Sequence, residues 1–133
     1  MTDTFVDIVV CGAHLSGMAL NPQLVTRGGV LVEVTTSAVE YRLYAIAGGP
    51  PYRPALVRVI EGGDAIPVEV WRLDVAAFGD FVRLIPEPLG IGKVKLIDGR
   101  WVAGFIAEPI ALVGAADITH YGGWRAYMAA KST

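Results

Sequence analysis

The chain has 133 residues, the size of one ordinary domain, and 53% of them are hydrophobic against 18% charged, which excludes disorder of the whole and demands a sizeable core. With 11 basic and 13 acidic residues the formal net charge is −2, lacking the field of a nucleic-acid or anionic-membrane binder and leaving small molecules or proteins as partners. A single cysteine excludes an internal disulfide, and two histidines beside it are too few for a zinc cluster of the usual composition.

The amino terminus, Met1 to Asp7, carries Asp3 and Asp7 and no basic residue, so neither a signal peptide nor a transmembrane helix is expected; the reducing cytoplasm fits. Phe5 to Cys11 is a near-continuous apolar run closed by Gly12, the pattern of a strand buried on both faces. A glycine-bearing loop follows, then Asn21-Pro22, read as an N-cap and first helical residue of a short helix ending at Gly28-Gly29. Residues 30–36 and 41–47 are rich in β-branched and aromatic side chains and are expected to form a hairpin. Three prolines and two glycines make 48–54 a surface loop. Residues 55–60 and 66–73 are two further strands, joined by a tight reversal at Glu61-Gly62-Gly63-Asp64.

Asp74 is a good N-cap, and Val75, Phe78, Phe81, Val82 and Ile85 recur at helical spacing until Pro86. Residues 87–92 read as a Gly/Pro loop leading into the best hairpin signal of the chain, 94–97 and 101–107 around Asp98-Gly99. Residues 110–116 fit strand or helix, and 123–131 is helix-prone. No repeat or linker divides the chain, so residues 1–133 are expected to form a single domain. About seven short strands with three helices give an α+β fold, mostly antiparallel, with a closed barrel as the natural arrangement.

The segment Cys11-Gly12-Ala13-His14-Leu15-Ser16-Gly17 places a histidine and a serine in a loop directly after a buried strand. Successive backbone N–H groups in such a loop form a nest for an anion, and His14 titrates near neutrality and can move a proton. Cys11 reads as a buried hydrophobe, Asn21 as a helix cap, and the three tryptophans as packing residues. Tyr41 and Tyr44 are expected to share the pocket-facing side of their strand, with Arg42 on the other.

Residues 12–21 resemble the opening motif of the C-terminal domain of allophanate hydrolases, and the likeness continues through Tyr41 to Ala45, Val68-Glu69-Val70-Trp71, Pro88 to Gly92, Asp98-Gly99 and Gly122-Gly123-Trp124-Arg125-Ala126-Tyr127. The resemblance covers nearly the whole chain from Val9 onward. It implies a γ-glutamylcyclotransferase-like fold, a small mixed barrel of six or seven strands with packed helices. In the full enzymes an amidase domain forms N-carboxycarbamate, and the C-terminal domain is associated with its decarboxylation.

The resemblance therefore implies a small dicarboxylate substrate, His14 as catalytic proton donor, and neither metal nor cofactor. Gly12, Ala13, Leu15, Ser16 and Gly17 would bind a carboxylate, with Tyr41, Tyr44, Gly90 and Gly92 around it. Complete allophanate hydrolysis would need a separate amidase polypeptide. Two other readings stand beside this one: a γ-glutamyl-amine cyclotransferase using Glu87 as base, and a non-catalytic module partnering an amidase. The aliphatic content is as compatible with a homo-oligomer as with a filled core.

Overall fold

The computed structural model describes residues 4–131; Asp3, used above in reading the amino terminus, lies outside them. In chain order the elements are β1 (Phe5–Val10), α1 (Pro22–Val25), β2 (Val30–Thr36), β3 (Tyr41–Ala45), β4 (Pro54–Arg58), β5 (Pro67–Asp74), α2 (Val75–Val82), β6 (Leu89–Lys95), β7 (Trp101–Ala107), β8 (Ala116–Asp117) and α3 (Trp124–Lys131). Single 3-10 turns at 109–112 and 119–121 flank β8.

Five strands form one sheet in the order β2-β5-β1-β7-β6, and three form another in the order β4-β3-β8. The apolar β1 takes the centre of the larger sheet, antiparallel to β5 and parallel to β7. Its last three residues, Ile8 to Val10, are buried. They join Leu43, Leu73, Phe81, Ile118 and Trp124 in one core, where each fully buried large side chain contributes about 1.5–3 kcal/mol.

Local chemistry explains α2. The Asp74 carboxylate accepts from the N–H groups of Ala76 and Ala77, 3.2 and 3.4 Å away, and Phe81 anchors the inner face at 0% exposure. The regular helix ends at Val82, and i to i−3 bonds at Leu84 and Ile85 carry the chain to Pro86. The β6–β7 pairing also matches the sequence signal, but it starts earlier: Gly90 and Gly92 lie in β6 opposite Ile106 and Gly104, not in a loop. A β-carbon on Gly92 would meet the Ile106 side chain at 2.7 Å.

The two other expected hairpins do not form. β2 pairs with β5, whereas β3 pairs with β4 and β8. The two strands bury differently: β3 hides Tyr41 and Leu43, while β2 leaves Val30, Val32 and Val34 exposed as an edge. β4 and β5 likewise belong to different sheets, with 61–64 crossing between them and Asp64 bridging to Tyr41. The larger sheet does not close into a barrel. Its edge strands approach only at the Ser37–Leu96 bridge, where Ala38 N–H donates to the Lys95 carbonyl. There the Lys95 N–H donates to the Tyr41 hydroxyl instead of a neighbouring strand, 2.8 Å away, so the smaller sheet takes the place of further ladder. Trp71 and Trp124 are core residues, but Trp101 is half-exposed beneath the Arg58 guanidinium, 4.8 Å from its ring. No helix among the described residues is long and apolar enough to cross a membrane.

Candidate anion-binding cleft

Where β1 ends, the chain turns beneath the start of β4 and a narrow cleft opens. Cys11, Gly12, Ala13, His14, Arg53, Pro54, Leu89 and Phe105 line it, leaving a cavity of about 20 Å³ whose mouth opens to solvent. Gly12 is required by a close approach: a β-carbon there would lie 2.3 Å from Cδ of Pro54.

The carbonyls of residues 12–14 are all taken up, while their N–H groups are not. The carbonyl of Gly12 accepts from Leu15 N–H, that of Ala13 from Leu20 N–H, and that of His14 from Asn21 Nδ2 at 2.9 Å. Among the described residues none accepts from the N–H groups of Gly12, Ala13 or His14. Three acceptors are thus filled while three successive donors remain unfilled, which is the polarity of an anion nest. Asn21 therefore serves this loop and not α1: its own backbone is helical and its side chain caps nothing.

His14 is buried, 6% exposed, with its ring stacked on Phe105 at 5.2 Å and edge-on to Phe81 at 5.1 Å. Gln23 Oε1 lies 2.7 Å from Nε2, a position that selects the tautomer with its hydrogen on Nε2 and leaves Nδ1 as the acceptor. Burial pushes the His14 pKa below its ordinary value, against the Gln23 hydrogen bond and with help from the Arg53 charge. Arg53 itself forms no ion pair among the described residues. Cys11 beside it is no nucleophile, because burial pushes its thiol up to about 12.

The remaining expected site residues are placed elsewhere. Leu15 is a core side chain, and Gly17 supplies a left-handed turn at φ 79°. Ser16 points away to Glu69, its N–H and hydroxyl donating to the two carboxylate oxygens at 2.8 and 2.9 Å. Tyr41 is buried beneath Lys95, and Tyr44 lies on the opposite face of β3 beside Arg42. A strand has a period of two, so a spacing of three separates the tyrosines. Neither tyrosine, nor Gly90 or Gly92, lines the cleft. Glu87 lines an adjoining hollow of about 230 Å³ that shares Arg53 and Leu89 with the cleft, and His14 is not among the residues lining it. Sequence reasoning missed Arg53; its only signal was a lone cation next to Pro54 in a loop that departs from regular structure.

The architecture places the chain among small α+β domains of the γ-glutamylcyclotransferase-like kind, and an AIG2-like protein from mouse shares that fold at a TM-score of 0.58 and 15% identity, over 83% of this chain and 84% of that one. The chain belongs to the allophanate hydrolase C-terminal domain family, whose model matches residues 6–129. It is 40% identical to a urea amidolyase of Saccharomyces cerevisiae over 93% of its own length and 7% of that protein. The urea amidolyase of Kluyveromyces lactis superposes with a TM-score of 0.92 at 38% identity, over 96% of this chain and 8% of that one. A uropathogenic E. coli-specific protein matches end to end: 36% identity, TM-score 0.87, 96% of this chain and 98% of that one. The chain thus spans about 7% of the length of the curated relatives it matches.

Proposed function

We propose that the cleft binds a small dicarboxylate and decarboxylates N-carboxycarbamate, or a close analogue, with His14 as proton donor. The reading is carried by residues 12–14, whose three N–H groups no described residue fills, lining one cleft together with Arg53. One carboxylate sits on these donors and the Arg53 guanidinium. The other lies toward Leu89 and Phe105, apolar walls that favour neutral carbon dioxide over the anion it came from.

In the reaction the C–N bond breaks, its electron pair stays on nitrogen, and that nitrogen takes a proton from His14 Nδ1; carbon dioxide and carbamate leave, and solvent restores the proton. In the unliganded protein burial, and after it the Arg53 charge, lower the His14 pKa. A bound dianion neutralises Arg53 and adds its own field, so substrate entry loads the proton that the step consumes. In this reading the amidase step is supplied from outside residues 1–133.

The test is carbon-13 NMR of labelled allophanate with an amidase lacking its own C-terminal domain, plus this protein, its His14→Ala variant, or neither. Faster loss of the carboxylated intermediate is expected with the wild type, reduced on the order of 10²–10⁴-fold by the substitution. Three coincident decay curves overturn the reading. Malonate binding, measured by calorimetry in buffers of different ionisation enthalpy, should take up a proton in the wild type and not in His14→Ala.

A further inference from the structure

Three separated stretches of the family resemblance, around Ser16, Glu69 to Trp71 and Arg125, meet at one buried carboxylate. Glu69, in β5, is 3% exposed. Its Oε1 accepts from Ser16 N–H at 2.8 Å and Trp71 Nε1 at 3.0 Å; its Oε2 accepts from the Ser16 hydroxyl at 2.9 Å and Arg125 at 3.1 Å. The Arg125 guanidinium, reaching in from α3, also donates to the Ser16 hydroxyl at 3.0 Å and to the Ser16 carbonyl. Ser16 is therefore held at its N–H, its carbonyl and its side chain, two residues beyond His14.

These bonds complete a division of labour along the loop. Leu15, Leu20 and Asn21 hold the carbonyls of residues 12–14, and the Glu69–Arg125 pair fixes the next polar residue. With its acceptor positions filled by four donors, Glu69 is not a ligand group for the hollow it lines beside Arg125. Burying a carboxylate is costly unless it is paired and hydrogen-bonded, and here half of that satisfaction comes from one loop residue.

We propose that Glu69 is a positioning residue: with Arg125 it holds residues 12–17 in the shape that presents the N–H groups of Gly12, Ala13 and His14 to the cleft. This rests on the carboxylate-binding reading of that cleft. Glu69→Gln keeps the size of the side chain but turns an amide N–H₂ either on the Ser16 N–H and Trp71 Nε1–H or on the Arg125 guanidinium, donors that the carboxylate accepted from. The experiment is a nitrogen-15 NMR titration of the full chain with malonate, comparing the wild type, Glu69→Gln, and Leu96→Ala as a core variant that lines no part of the cleft.

For Glu69→Gln the Gly12, Ala13 and His14 amide resonances should move, and malonate affinity should fall about tenfold. In Leu96→Ala those resonances and the affinity should stay as in the wild type, which separates positioning from general loss of stability. Wild-type resonances and affinity in Glu69→Gln overturn the proposal. If Glu69→Gln does not fold, Arg125→Met, which removes the half-exposed cation and keeps the stem, answers by the same two readouts. If the wild type binds no malonate, the carboxylate reading falls, and the three amide resonances alone decide the role of Glu69.

Discussion

Replacing Gly12 by alanine tests how the cleft is built. A β-carbon there would stand 2.3 Å from Cδ and 2.4 Å from Cγ of the Pro54 ring. Carbon atoms are comfortable at about 3.5–4.0 Å, so the end of β1 and the start of β4 must separate by more than about 1 Å. Overpacking of this kind costs about 1–3 kcal/mol. For a chain of this size that lowers Tm by roughly 3–15 °C. Arg53 precedes Pro54, so the displacement also moves the guanidinium relative to the 12–14 donors and weakens malonate binding. Pro54→Ala deletes both offending ring carbons. The losses in the double variant should therefore be less than additive, by about 0.5–3 kcal/mol. Thermal melts and urea titrations of the four proteins measure this. A Gly12→Ala chain that melts with the wild type, or losses that simply add, would refute the argument from close approach.

Three further outcomes are expected. Because burial lowers the His14 pKa below 6.5, the unfolded chain takes up a proton that the folded chain refuses. Stability is full above that value and falls as pH drops below it; urea unfolding from about pH 8 to 5 should show this slope in the wild type and a flatter one in His14→Phe. The Cys11 thiol, 5% exposed and pushed up to about 12, should resist thiol reagents at about pH 8 until denaturant opens the core, and fast labelling of the native protein would contradict its burial. Asp74→Ala removes the carboxylate cap of α2 and should cost about 0.5–2 kcal/mol in urea unfolding while leaving malonate affinity unchanged.

Features set by neighbours in the chain were legible in the sequence: the Asp74 cap with the 3.6-residue period of α2, the Asp98-Gly99 turn between β6 and β7, and the buried run of β1. Features set by distant partners were not. Nothing within residues 30–47 indicates that β2 will seek β5 while β3 seeks β4 and β8. Around the cleft, His14 drew attention through residue type and loop context. Arg53 did not, because one arginine in a Pro/Gly loop looks like any solvated charge until the fold lays it beside residues 12–14. Glu69 was hidden by its surroundings: within Val-Glu-Val-Trp it reads as the outward position of an alternating strand, yet it is buried and fully bonded. Tyr41 and Tyr44 show that a strand's period must be counted residue by residue.

The contact between Arg125 and Ser16 joins residues 109 positions apart. During synthesis at about 5–20 residues per second, the loop after β1 emerges roughly 5–20 s before the arginine that fastens it. A growing chain can thus assemble its strands while the cleft still lacks its last tether. Ligand competence of this domain waits on the docking of α3, well after the loop itself has been made.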